Sequence, residues 1–275
     1  MSTGQGSYLF LVISSLFCIV LALLKTRSQR MVLLFLAVAG LILFVDYIIY
    51  VLGKAYQYIP DIVPGKYDSH VGALFNALIL SSTACLFAAY QVWWIWSIAI
   101  ALIFAGIEQV FLKIEVYKQN WWNTGFTFFS FIFYFPIVKS WWNTLHRWHG
   151  LKTRVITLAL ALYAIRVPLG VVQYGVLESR TYEVQWLEAI GKDGAAVHSW
   201  VIIPTCVLLA FLILSNLKIY WSFMTVILFF CIDLFLKKIG IIHVNHSWDA
   251  IYYISADTIT LLVGIYLGKL ITNSQ

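Results

Sequence analysis

The feature that most limits what this chain can fold into is a series of apolar runs, each roughly 20 residues long and bounded by short polar clusters. A helix of that length, rising about 1.5 Å per residue, matches the hydrocarbon thickness of a bilayer. Of the 275 residues, 62% are hydrophobic and 11% charged. Soluble domains carry about 25% charged residues, and a water-soluble globule needs a polar coat that this chain cannot supply. A β-barrel does not fit either. Barrel strands alternate at period two, whereas a stretch such as Val201–Leu214 is apolar on nearly every face. The expected fold class is all-α, a polytopic membrane helical bundle.

About nine spans meet the length criterion: Tyr8–Leu24, Met31–Leu52, Val71–Tyr90, Val92–Leu112, Trp122–Val138, Val155–Val176, Ser199–Leu214, Ile219–Leu236 and Ile251–Leu267. No Lys or Arg precedes the first run, and Lys25, Arg27 and Arg30 follow it. That is the pattern of a first helix retained in the membrane rather than of a cleaved signal. Trp93, Trp94, Trp96, Trp121, Trp122, Trp141, Trp142, Trp221 and Trp248 fall near expected span ends. Indole rings gather there because they are amphipathic.

The formal net charge of +6 is read as topology-setting loop charge and not as a nucleic-acid footprint. Lys25, Arg27 and Arg30 form one acid-free basic loop, and Lys139, Arg147, Lys152 and Arg154 form another. Both are expected in the cytoplasm. The opposite loops carry Asp61, Asp68, Glu115, Glu178, Glu183, Glu188 and Asp193. Nine crossings then put the N-terminus outside the cell membrane and the C-terminus in the cytoplasm. Cys18, Cys85, Cys206 and Cys231 lie in apolar runs and read as small apolar residues, not disulfides.

The two halves resemble each other at a separation of about 125 residues. IEQVFLKIEVYKQNWWNTGF, from Ile107, parallels IDLFLKKIGIIHVNHSWDAIYY, from Ile232. Glu108 matches Asp233, Lys113 matches Lys237 or Lys238, and Trp122-Asn123 matches Trp248-Asp249. Asp68 before GALFNALILSST parallels Asp193 before GAAVHSWVIIPT. The expected organisation is a leading helix in 1–30, a four-helix repeat in 31–150 and a second in 151–275. An even number of spans per copy makes the repeats parallel.

With Asp68, Asn76, Ser81-Ser82, Ile107-Glu108 and Trp122, the chain resembles an uncharacterised family of multi-pass membrane proteins of spore-forming Firmicutes. The second copy departs from that pattern with Asp233 for the Glu, Ser199 near the Asn position and Pro204-Thr205. The resemblance implies a membrane location and a bacterial source, and no activity.

Ionisable residues within spans cost about 2.5–3.5 kcal/mol each on insertion scales, so each needs a partner, water or a task. Asp46, Glu108, Arg166, Asp233 and Asp257 are of this kind. Glu108 and Asp233, at matching positions, are the leading functional candidates, with Asp257, Asp68 and Asp193 beside them. The alternative for the first two is structural, Glu108 pairing with Lys113 and Asp233 with Lys237 or Lys238. Asp46 and Arg166, on the leading helices of the two repeats, are expected to pair with each other. His243 and His246 have HxxH spacing before Asp249, but in a loop and without the HExxH of zinc hydrolases, so no metal is assigned. GxSxG, P-loop and GxGxxG patterns are absent.

Three functions remain open: a small-solute or ion pathway between the repeats, a membrane-embedded enzyme acting on a lipid or isoprenoid, and a sporulation or envelope scaffold. The expected partners are membrane lipids and not nucleic acid; cofactor and oligomeric state are left unassigned.

Overall fold

A computed structural model describes residues 2–65, 67–145, 150–189, 194, 196–215 and 220–272. The chain divides into two compact units, Met1–Arg147 and Trp148–Gln275. The first contains α1 (Thr3–Thr26), α2 (Arg30–Asp46), β1 (Tyr56–Tyr58), α3 (Asp68–Ala89), α4 (Trp96–Lys113), β2 (Tyr117–Gln119) and α5 (Thr124–Leu145). The second contains α6 (Leu151–Val171), β3 (Arg180–Tyr182), the short α7 (Gln185–Ala189), α8 (Ala196–Leu214), α9 (Tyr220–Lys238), β4 (Ile242–Val244) and α10 (Asp249–Thr272). Among the described residues eight helices are long and apolar enough to cross a membrane, and the chain is a multi-pass α-helical membrane protein.

The difference from the nine expected spans is α5. It is 22 residues long but diluted by Ser, Thr, Tyr, Trp and Lys139, so it falls outside the apolar set. It nevertheless runs antiparallel beside α4. Gln109 donates to Thr124 at one end, and Lys139 donates to the carbonyls of Gln91 and Val92, in the α3–α4 turn, at the other.

In the first unit α3 is central, packed against α1, α2 and α5. Its buried face carries Ala73, Ala77, Ser81, Ala84 and Ala88. Small residues at three- and four-residue steps let helix backbones approach closely, the usual solution where lipid removes the hydrophobic drive between helices. α1, the leading helix, lies against α3, with the Ser15 hydroxyl donating to the Leu78 carbonyl. Its start is fixed by a reciprocal Ser2–Gln5 capping box. Large apolar side chains such as Phe10, Phe17, Leu102 and Ile103 point outward on α1 and α4, the face expected toward hydrocarbon. In the second unit α6 packs on α8 and α10. Ile213 and Leu162 sit against Gly264 of α10.

α2 of the first unit and α6 of the second each end in a π-helical turn, at Tyr47–Leu52 and at Val172–Val176. A residue with positive φ then breaks the turn, Lys54 (φ 50°) and Glu178 (φ 48°). The carbonyl of each accepts a hydrogen bond of 2.8 Å from an Asn side chain, Asn120 in one unit and Asn245 in the other. The short strands that follow pair antiparallel, β1 with β2 and β3 with β4. These ribbons tie the α2–α3 connection to the α4–α5 connection, and the α6–α8 connection to the α9–α10 connection. Strands this short are not stable alone; here they cap a helical bundle.

Trp93, Trp94, Trp96, Trp121, Trp221 and Trp248 are exposed near helix ends, as an interfacial belt requires. Trp142 is buried, and Trp122 turns inward, its indole N–H donating to Thr127. Those two serve packing instead.

Gly72 shows how close the ribbon lies to α3. A Cβ there would collide with the Tyr58 Cβ, whereas one on Gly106 of α4 meets nothing. Gly72→Ala is expected to destabilise the chain by about 1–3 kcal/mol. Gly106→Ala is expected to be neutral or stabilising by up to about 1 kcal/mol. Equilibrium unfolding of both variants in mixed micelles checks the contrast.

Candidate functional site

Each unit holds a buried polar cluster beneath its ribbon, and the two clusters solve the charge problem differently. In the second unit the organising residue is Arg180, at the start of β3 and 0% exposed. Its Nε and Nη2 donate to the two oxygens of Asp249 at 3.0 and 2.7 Å, and Nη1 donates to Asp233 at 2.7 Å. Asp249 also accepts from Ser179 and Gln173, at 2.8 Å each. Lys237 lies 2.8 Å from the other oxygen of Asp233. One layer further along, Arg166 pairs with Asp257 at 2.7 Å. Both guanidinium carbons lie 4.7 Å from the centre of the Tyr253 ring, a favourable cation–π distance.

Three cations, Arg166, Arg180 and Lys237, thus face three acids, Asp233, Asp249 and Asp257. Burial opposes the charge on Arg180, but the Asp249 hydrogen bonds and the two nearby carboxylates outweigh it. The guanidinium is held above its ordinary pKa, a fixed cation. The charges of this cluster balance and Arg180 meets Asp249 bidentately, while Nη1 and Nη2 of Arg166 and Oδ2 of Asp257 make no hydrogen bond among the described residues.

In the first unit the described residues of the cluster include acids and no cation. Asp46, at the end of α2, is buried and accepts from the Tyr56 hydroxyl at 2.6 Å and from Tyr58 at 3.3 Å. Asn76 donates to the Tyr58 oxygen at 2.9 Å. Glu108, on α4 and 9% exposed, accepts from Gln119 of β2 at 2.6 Å and lies beside the Thr127 hydroxyl, which is near its carboxylate without completing a well-formed hydrogen bond to Oε2. Burial, then the nearby carboxylate charges, push the phenols of Tyr56, Tyr58 and Tyr117 far above their ordinary pKa, so they remain O–H donors. Asp46, Glu108 and these tyrosines line one cavity of about 270 Å³. Its remaining wall is mostly apolar and aromatic, including Trp122, Phe104 and Tyr134.

The sequence-derived candidates fall out as follows. The expected Asp46–Arg166 pair is corrected on both sides, because each side chain finds its hydrogen-bond partners inside its own unit. Arg166 meets Asp257 across the packed α6 and α10, and Asp46 meets tyrosines. Asp233 pairs with Lys237, four residues on. Lys238 and Lys113 lie five residues after their acids and are exposed. Five residues turn a helix through about 500°, leaving the pair roughly 140° apart, so Lys113 does not meet Glu108. Asp68 clamps a loop, accepting from the backbone N–H groups of Asp61, Ile62 and Val63. Asp193 lies outside the described residues. His243 approaches Glu183 at 3.5 Å and His246 stacks on Trp248. Among the described residues no group of three or more His, Cys, Asp or Glu is arranged to hold a metal.

Reading the sequence missed Arg180, Asp249 and the tyrosines of the ribbon. Arg180 sits between Glu178 and Glu183 and reads as loop charge. The available signal was the pair of short alternating segments Tyr56-Gln57-Tyr58 and Arg180-Thr181-Tyr182, at the spacing of the two halves. Searched against protein-family models, curated proteins and solved structures, the chain matches none.

Arg180→Met should cost about 3–5 kcal/mol, because it leaves Asp233 and Asp249 buried with only Lys237 between them. Adding Asp249→Asn should recover part of that loss. Unfolding in mixed micelles measures both. A loss below about 1 kcal/mol for the single variant contradicts the organising role given to Arg180.

Proposed function

We propose that this protein holds a small amphipathic molecule within the membrane, in the cavity of its first unit, as a carrier or receptor and not as a passive scaffold. The observation that carries the reading is a cavity of about 270 Å³ lined by two buried carboxylates, Asp46 and Glu108. A scaffold gains nothing from either feature. Intramembrane acids without a cation are costly, and the cavity opens between helices where a scaffold would be packed. Ligand sites are typically concave, mostly apolar and furnished with a few convergent polar groups, and this cavity has that composition.

The experiment fills the cavity. Ile107→Trp and Ser130→Trp add bulk at two lining positions. Native mass spectrometry of the chain released from its own membranes should show a small-molecule adduct on the native protein. Both filled variants, folding normally by thermal unfolding, should have lost it. Retention of the same adduct by the filled variants counts against the cavity as the site.

For topology, the antiparallel course of α5 beside α4 supports nine crossings. The matched π turns, positive-φ residues and Asn hydrogen bonds support an internal repeat. With nine crossings, the acid-free basic loops at 25–30 and 139–154 are assigned to the cytoplasm, the N-terminus to the outside and the C-terminus to the cytoplasm of a cell membrane. On a background lacking Cys18, Cys85, Cys206 and Cys231, an impermeant thiol reagent added to intact cells should label Glu183→Cys and spare Lys152→Cys. The opposite pattern inverts the orientation.

A further inference from the structure

The two units present the same backbone positions with different side chains, and the comparison says what the first cavity lacks. Tyr56 and Arg180 are equivalent: each opens a ribbon strand, two residues after the positive-φ residue whose carbonyl accepts the Asn side chain. Glu108 and Asp233 are equivalent by their helix ends. Val116 donates to the carbonyl of Phe111 in one unit, Ile241 to that of Leu236 in the other, and each acid lies three residues before that carbonyl. In the second unit the guanidinium of Arg180 fills the space beneath the ribbon, meeting Asp233 at 2.7 Å and the Tyr253 ring at 4.7 Å. In the first unit the equivalent side chain is a tyrosine that turns to Asp46. Glu108 has only neutral neighbours for its carboxylate, Gln119 and Thr127, where Asp233 has Arg180 and Lys237, and open volume remains beside it.

Resting on the cavity reading above, we propose that the occupant of the first unit is an organic cation, with an ammonium or guanidinium head and an apolar body. Its head takes the place that Arg180 fills in the second unit. Glu108 and Asp46 supply the counter-charge, while Tyr56, Tyr58, Tyr117 and Trp122 supply aromatic surface suited to a cation. Among the described residues no basic side chain lines the cavity, so an anionic ligand would meet only like charge there. A bare metal ion is disfavoured by the walls: hard cations take about six to eight oxygen ligands, and most of this lining is hydrocarbon or aromatic carbon. An apolar body fits those walls.

The test uses the full chain in a non-ionic detergent, with radiolabelled 2-phenylethylguanidinium as the probe and the uncharged 2-phenylethylurea as its isostere. Equilibrium dialysis should show saturable binding of the cation and at least about tenfold weaker binding of the urea. Glu108→Gln should weaken cation binding by about tenfold or more while leaving urea binding unchanged. Tyr56→Arg, which grafts the residue of the second unit, should abolish cation binding by supplying the charge internally, and should raise the unfolding temperature. That graft keeps the idea testable if Glu108→Gln does not fold. Equal binding of cation and urea, both lost in Ser130→Trp, would overturn the cationic ligand while leaving the cavity reading intact. Binding of neither probe would overturn the cationic ligand as well. Binding of both that is unaffected by Ser130→Trp and Ile107→Trp would overturn the cavity reading and this inference together.

Discussion

A carboxylate carried into the membrane has to find a positive charge, a hydrogen-bond donor or water, since hydrocarbon offers none of these. The arrangement beneath each ribbon follows from that requirement. Asp233 and Asp249 are fully buried, and the chain brings Arg180 to them from a connecting segment by extending it into a strand. The strand's alternation turns Arg180 and Tyr182 inward and leaves Thr181 between them half-buried. The ribbon therefore serves as more than a connection. It is the device that delivers side chains from the end of the bundle into its interior, where a helix of the same length would have spread them around its axis.

The first unit uses the same device to deliver tyrosines. A phenol and a guanidinium are both donors, but only one is charged, and the consequences differ. Asp46 is hydrogen-bonded by Tyr56 and Tyr58 without being neutralised, and Glu108 is hydrogen-bonded on one oxygen by Gln119. Gly170 occupies the α6 position that corresponds to Asp46. A side chain there would run into the His198 ring. The space that one unit gives to a carboxylate, the other gives to an imidazole. Tyr50 and Tyr58 in one unit, and Tyr174 and Tyr182 in the other, pack edge-on alike, joined by His70 in the first and by His198, which aligns in sequence with Asn76, in the second. The scaffold around the polar clusters is thus held in common while their charge is not.

How much of this was legible beforehand follows from what hydropathy measures. The long helices were readable because burial in lipid demands apolar residues over a fixed length. The expected ends fall close to the observed ones for α1, α3 and α4. α5 was readable by position and less so by composition, since its phenylalanines are interleaved with Ser, Thr and Tyr. The pairing of Asp233 with Lys237 was legible because four residues bring two side chains onto one helix face. The partners of Asp46 and Arg166 were not. Both are set by which helices pack together, a long-range outcome that no local spacing encodes. Arg180 was invisible for a different reason. Loop charges between membrane spans are ordinarily wet, and nothing in Glu178-Ser179-Arg180 distinguishes an arginine that folds inward from one that does not. Three-residue strands leave too short a pattern to reveal it.

The contrast between the clusters bears on the order in which a folded membrane protein acquires function. A buried ion network with every charge matched has little left to offer a ligand, because any exchange must first break bidentate pairs. A cavity with donors satisfied and charge unsatisfied is the reverse: it is folded and still incomplete. On the reading proposed here, the second unit supplies an internal pattern for the first. Its arginine head between carboxylates and an aromatic ring is the arrangement that the cavity would complete with a molecule from outside the chain. On that reading a packed core and a receptive one differ at several side chains, arginine against tyrosine at the start of the strand and glycine against aspartate near the end of the preceding helix, on a backbone held alike by the Asn hydrogen bond and the ribbon. The stabilising and the binding versions of the cluster then differ by side chains alone, and the incomplete one keeps its shape because the helices around it do not depend on the missing charge.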